Sequence, residues 1–229
     1  MKERKVAIFD VDGTIFRSSL LIEITDMLIE RGVFPREAQE TYQHDKEKWL
    51  DREGDYESYI AAVVKAFMKN LKGVSYGDFK DVAEDTIEKY KYRTYRYTRD
   101  LVKKLKKEGY FLLAISQSPK AVLDTFCAEL GFDKVYGRIY ELGPNDCFTG
   151  KIIDEHIIQN KAMVTKRALT KEGLTLTDSV GVGDTESDIA FLELVTNPIC
   201  FNPNRKLYKH AKRNKWEVVV ERKDVVYTI

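Results

Sequence analysis

Three short apolar runs, each stopped by a polar or acidic residue, constrain this chain more than anything else in it. They run from Val6 to Asp10, from Phe111 to Ser116 and from Val180 to Asp184. Apolar runs without alternation suit strands buried on both faces, the situation of a parallel sheet covered by helices on each side. Helical patterns fill the intervals. Arg99 to Glu108 is stopped by Gly109, Lys120 to Leu130 by Gly131, and Lys161 to Glu172 by Gly173. Glycine just past the last helical residue is a C-terminal stop signal. Further strands are expected over Ile199 to Asn202 and Val218 to Val220, with a helix from Arg205 to about Lys215 between them. Strands alternating with helices predict a doubly wound, Rossmann-like α/β domain. Ligands of such sheets bind beyond the carboxyl ends of the strands, where the acidic residues of this chain fall.

The first two runs are separated by about 100 residues, far more than a crossover needs. The interval carries helical patterns: Leu20 to Leu28 before Gly32, Pro35 to Leu50, a segment from Asp55 as N-cap to Leu71, and Asp78 to Tyr90. Residues 17–90 are therefore predicted to form an α-helical cap, inserted between residues 1–16 and 91–229 of the α/β core. A shorter insertion, Val135 to Ile153, contains Gly143-Pro144-Asn145-Asp146 and reads as a hairpin.

The residues at the strand ends carry chemistry. In Asp10-Val11-Asp12-Gly13-Thr14 two carboxylates stand two residues apart at a turn. A carboxylate can attack phosphorus and form an aspartyl-phosphate. Asp10, at the rigid strand end, is the candidate nucleophile, and Asp12 the candidate general acid and base. Thr14 adds a hydroxyl. Asp184 and Asp188 lie four residues apart at the start of an expected helix, Ser187 to Val195. If all four acids converge, they cannot all stay ionised unaided. A divalent cation with hard oxygen ligands, Mg²⁺ when a phosphate is present, relieves this. Ser116 and the helix opened by Ser118-Pro119 offer a hydroxyl and backbone N–H groups to a phosphate.

Taken singly, each segment has an ordinary structural reading, as a turn, a helix cap or a surface lysine. Taken in order, Asp10 to Thr14, Ser116, Lys161 and Gly183 to Asp188 resemble the haloacid dehalogenase superfamily of phosphohydrolases, in its phosphoserine phosphatase-like branch with a helical cap. The resemblance implies that Asp10, the backbone carbonyl of Asp12 and Asp184 hold Mg²⁺, with Asp188 a further ligand or an acceptor behind it. It implies that Lys161 neutralises Asp10 and the phosphoryl oxygens, with Lys166 the backup if the register is shifted. Gln117 stands where the family often has glycine, so its backbone N–H is kept while its side chain narrows the site. Relatives in this branch carry a cap glutamate nine residues after the nucleophile that meets the substrate's ammonium; here Ser19 stands there, with Glu23 a turn on. Arg52 is the candidate for their cap arginine. Phosphoserine is therefore expected to be a poor substrate.

The expected activity is Mg²⁺-dependent hydrolysis of a small phosphomonoester by a monomer or homodimer. A phosphotransferase or mutase keeps the same motifs and passes the phosphoryl group to another hydroxyl. A nucleic-acid or protein-binding module is the rival from another class, resting on Tyr90, Tyr92, Tyr95 and Tyr97 interleaved with Lys91, Arg93 and Arg96. The net charge of +1 gives no field to favour such partners. Three separated cysteines, the absence of a signal-peptide pattern and the lack of any run of roughly 20 apolar residues lead to the expectation of a cytoplasmic protein off the membrane.

Overall fold

The computed structural model describes residues 4–229. The three apolar runs become β1 (Arg4–Phe9), β2 (Phe111–Pro119) and, after β3 (Lys134–Leu142) and β4 (Phe148–Ile153), β5 (Leu174–Gly183). They are followed by β6 (Asn197–Phe201), β7 (Glu217–Arg222) and β8 (Val225–Thr228). One sheet joins them in the order β4-β3-β2-β1-β5-β6-β7-β8. Neighbours from β3 to β7 are parallel, and β4 and β8 close the edges antiparallel. β1 lies in the middle, and its Val6, Ala7, Ile8 and Phe9 are fully buried. Successive residues enter opposite clusters: Ala7 and Phe9 pack with Leu112, Ala114 and Val182, while Val6 and Ile8 pack with Leu113, Ile115 and Val164. Burial on both faces is why the run shows no alternation.

Four helices follow β1: α1 (Leu20–Glu30), α2 (Glu40–Leu50), α3 (Tyr56–Leu71) and α4 (Tyr76–Tyr90). The sheet is covered by α5 (Arg96–Lys107), α6 (Lys120–Leu130), the short α7 (Glu155–Ile158), α8 (Lys161–Glu172), the short α9 (Ile189–Leu192) and α10 (Arg205–Asn214). Asp55 caps α3 as anticipated, its carboxylate accepting from Ser58 N–H at 2.7 Å. Other boundaries differ. The segment after Pro35 makes a 3₁₀ turn, Arg36–Ala38, before α2 starts at Glu40. α5 begins three residues earlier than its amphipathic pattern, at Arg96. Ser187 to Val195 is no continuous helix but a 3₁₀ turn, Glu186–Asp188, followed by α9. The anticipated hairpin exists as β3 and β4, yet β3 also pairs in parallel with β2, so the hairpin extends the main sheet.

The helical insertion is joined to the sheet domain at several places, α4 packing on α6 among them. At the crossing point, Arg17 N–H donates to Arg93 O and Tyr95 N–H to Ile15 O, each at 2.9 Å. On the far side, the α3–α4 turn is hydrogen-bonded to the hairpin. Gly73 N–H donates to Phe148 O at 2.8 Å, and Phe148 N–H donates to Val74 O at 2.9 Å. Aromatic contacts reinforce that seam, with Phe67 5.4 Å from Tyr140 and Phe79 5.2 Å from Phe148, centroid to centroid. At the surface, Lys206 of α10 meets Glu57 of α3 at 3.4 Å and Glu186 at 2.5 Å.

These attachments differ in kind, and so should the cost of removing them. Phe148→Ala opens a cavity among Tyr76, Phe79 and Tyr140 and should destabilise the protein by about 3–5 kcal/mol in urea unfolding. Lys206→Ala removes an exposed ion pair and should cost under about 1 kcal/mol. Equal effects would show that the aromatic seam does not carry the attachment.

Candidate active site

The site forms where β1, β2 and β5 end. Asp10 follows β1 directly, and its N–H donates to Val182 O of β5 at 2.9 Å. Lys161 opens α8, with Asn160 as N-cap accepting from Met163 N–H. From there its ammonium reaches Asp10 Oδ1 at 2.6 Å and Asp188 Oδ1 at 2.5 Å. All three groups are buried. The other oxygen of Asp188 accepts from the N–H groups of Asp184 and Thr185, each at 3.0 Å. That leaves Asp184 with a single hydroxyl, Thr14 Oγ1 at 3.3 Å. Asp10, Asp184 and Asp188 each offer one oxygen, all within 4.8 Å of one another. The packing around them requires glycine at position 13: φ is +79°, and a Cβ there would stand 2.2 Å from Asp184 Oδ2.

Asp12 turns its carboxylate away from this cluster. Its Oδ1 accepts from Leu20 N–H, the first residue of α1, at 2.6 Å. Its Oδ2 accepts from the hydroxyls of Ser116 at 2.6 Å and Ser118 at 2.8 Å. Asp12 thus touches both sheet and insertion. Beyond opening a helix, Ser118 stands two residues after Ser116 on the same face of β2, the sequence signal that brings its hydroxyl to Asp12. Gln117 faces elsewhere, and its Oε1 accepts from Arg138 Nη2 at 2.7 Å.

Arg52 is not drawn into a hydrogen bond with these residues. It sits exposed in the α2–α3 turn, its guanidinium 5.8 Å from the Trp49 ring centroid. Tyr56, at the start of α3, is the residue from that region that approaches the site. Its phenol reaches the Ser19 hydroxyl, and burial together with the charges of Asp12 and Asp184 pushes its pKa up. No local pattern distinguishes it from the other tyrosines. Glu23 is buried and paired with Arg93 at 2.5 Å. Lys166 is exposed on α8, away from the carboxylates. The tyrosines of the basic stretch are structural: Tyr95 and Tyr97 pack on Phe201 at 4.9 and 5.7 Å, and Tyr90 lies under Arg93. Of the four, Tyr92 alone is strongly exposed.

The electrostatics show what the cluster lacks. Burial pushes the Asp10 carboxyl up to about 7; the Lys161 charge opposes this, and Asp188 and Asp12 add to it. Asp184 is raised well above the carboxylate range by burial and by the charges of Asp10 and Asp188. Burial works to lower Lys161, but the neighbouring Asp10 and Asp188 charges outweigh it and hold the ammonium protonated. One lysine therefore serves two of the three clustered carboxylates, Asp10 and Asp188. The hard oxygen donors and the uncompensated Asp184 fit a divalent cation.

The family model for haloacid dehalogenase-like hydrolases matches residues 7–193. A histidinol-phosphatase of Neisseria meningitidis serogroup C is 25% identical, over 94% of this chain and 98% of its own length. A protein of unknown function from Bordetella pertussis Tohama I has a similar solved structure, with a TM-score of 0.74 at 20% identity, covering 95% of this chain and 98% of that one. A phosphoserine phosphatase structure holding a phospho-aspartyl intermediate analogue has a TM-score of 0.62 at 21% identity, covering 97% and 96%. No helix among the described residues is long and apolar enough to cross a membrane.

The raised carboxyls set a pH dependence. An unfolded aspartate titrates near 3.8 and folded Asp10 near 7. Across that window the folded metal-free protein binds protons more tightly, so this site lowers stability as pH rises. A bound cation replaces those protons. The Tm gain from saturating divalent metal should therefore be larger at pH 8 than at pH 5.5. A gain that shrinks with rising pH would contradict the charge arrangement.

Proposed function

The chain belongs to the haloacid dehalogenase-like hydrolases, and from that premise we propose that it is a Mg²⁺-dependent phosphomonoester hydrolase acting on a small phosphorylated metabolite through phospho-Asp10. The observation that carries this reading is the position of Lys161. It fixes one oxygen of Asp10 and leaves Oδ2 without a side-chain hydrogen bond among the described residues. That oxygen is the attacking atom. It bonds to phosphorus as the P–O bond to the leaving alcohol breaks, giving the aspartyl-phosphate and an alkoxide.

Asp12 supplies the proton to the alkoxide. Without a phosphate present, its carboxylate is satisfied by Leu20 N–H and two serine hydroxyls. An arriving phosphate takes the Ser116 hydroxyl as its own donor and frees an Asp12 oxygen to carry the proton that the alkoxide receives. Having given up that proton, Asp12 accepts one from the water that cleaves the phospho-Asp10 bond. Gln117 contributes its backbone N–H to the phosphoryl seat, and Lys161 meets the charge that develops on the phosphoryl oxygens. Mg²⁺, held by Asp10, the Asp12 carbonyl and Asp184 with Asp188 adjoining, would offset the phosphoryl charge and that of the clustered acids.

The helical cap, residues 17–90, roofs the strand ends and favours small substrates over phosphoproteins. Ser19 and Tyr56 stand over Asp12, and Glu23 is engaged by Arg93. A substrate ammonium would find no free carboxylate at Ser19, so the substrate is a phosphate without an amine at that point. Three free thiols support a reducing, cytoplasmic setting.

Asp10→Asn should remain folded and hydrolyse p-nitrophenyl phosphate at less than about a hundredth of the wild-type rate. A higher residual rate would remove Asp10 from the role of nucleophile. Asp12→Ala should lose about 10²–10⁴-fold on an alkyl phosphate and markedly less on p-nitrophenyl phosphate, whose leaving group needs little protonation. Equal losses on both would exclude Asp12 as the general acid.

A further inference from the structure

Arg138 is the middle residue of β3, the strand beside β2 whose hairpin meets the α3–α4 turn. Its parallel partner is Pro119, one residue beyond the Ser118 whose hydroxyl reaches Asp12. Nη2 donates to Gln117 Oε1 at 2.7 Å, and the guanidinium charge acts on the nearby phenol of Tyr140, whose ring packs on Phe67 of α3. The residue is half-buried, and its Nε is buried with no hydrogen-bond partner.

Among the described residues, no carboxylate pairs with this guanidinium. Lys161 is paired with Asp10 and Asp188, Arg93 with Glu23, and Lys206 with Glu57 and Glu186. Arginine stays charged at any working pH and presents five N–H donors in a rigid fork. Taking such a group partly out of water without a counter-ion is unfavourable unless an anion comes to it. Gln117 completes the arrangement. Where a glycine would offer no side-chain acceptor, this chain places an amide oxygen, on the residue between Ser116 and Ser118, that fixes the guanidinium.

Resting on the phosphatase reading above, we propose that Arg138, oriented by Gln117, receives a second anionic group of the substrate, a carboxylate or second phosphate carried on the leaving-group side. The fork suits bidentate binding of either. The transferred phosphoryl group is held by Ser116 and Lys161, so Arg138 determines specificity and takes no part in bond breaking.

The test compares kcat/KM within two substrate series. One keeps a three-carbon frame that ends in an alcohol, a carboxylate or a second phosphate: glycerol 3-phosphate, 3-phosphoglycerate and glycerol 1,3-bisphosphate. The other sets glucose 6-phosphate beside 6-phosphogluconate and fructose 1,6-bisphosphate. The wild-type protein should favour anionic members of at least one series by about tenfold or more, mainly through KM. Arg138→Gln should bring that ratio to within about threefold of unity. Whether the carboxylate or the phosphate member is preferred identifies the source of the anion. A ratio that survives Arg138→Gln, or a wild-type protein with no anionic preference in either series, would overturn the proposal. Should Arg138→Gln fail to fold, Gln117→Gly releases the guanidinium and should lower the ratio; an unchanged ratio there overturns it equally. Turnover of p-nitrophenyl phosphate by the wild-type protein separates the two levels. With that turnover and a flat ratio, only Arg138's role fails. Without turnover of any phosphomonoester, the phosphatase reading fails as well.

Discussion

Lys161, buried between Asp10 and Asp188, is the contact on which the rest of the arrangement depends. Burying three ionisable groups is expensive, and hydrophobic residues of the same volume would often be no less stable. The contact makes sense as a device of position. It draws the start of α8 to the ends of β1 and β5 and selects which oxygen of Asp10 is occupied. It also orients Asp188 so that its second oxygen can hold the backbone of the Asp184 turn. The close packing at Gly13 and Gly183 follows, since a side chain at either would collide with Asp184 or Asp188.

What could be read from the amino-acid order divides along the range of the forces involved. The central strands were legible because burial on both faces removes every polar residue from the run. The limits of α6 and α8 were legible because local signals set them: a strand end before α6, an asparagine cap before α8 and a glycine after each. The segment after Asp184 opens as expected from its polar residues, with a capping box between Thr185 and Asp188, but its first turn is 3₁₀ and α9 ends at Leu192. The parallel pairing of β3 with β2 was not legible, since the partner lies across α6 and leaves no mark on the hairpin's own pattern.

The site shows the same division. Asp10, Asp184 and Asp188 converge as their places at the ends of β1 and β5 suggest, while Asp12 turns to Ser116, Ser118 and Leu20. Ser118 was overlooked because a serine before proline has a sufficient explanation as a helix opener. The direction of the Gln117 side chain depends on Arg138, a residue 21 positions away, and Tyr56 is one tyrosine among 13. Arg52 was carried across by analogy with cap arginines, and the left-handed backbone it adopts, φ +64°, places it in an exposed turn beside Trp49.

The seam between the hairpin and the α3–α4 turn bears on how this protein comes apart. One apolar cluster runs without a break from Ala7 and Phe9 of the central strand to Phe67 and Phe79 of the insertion, by way of Tyr140 and Phe148. An insertion that merely sat on the sheet would melt as a separate foldon, and evolution or an engineer could exchange it for another roof. Here the roof shares the interior of the house. Excising it would strip Phe16, Phe126, Tyr140 and Phe148 of neighbours they need, so the two parts should lose structure in a single cooperative transition. New specificities are then more accessible by changing side chains that face the strand ends than by transplanting the helices whole.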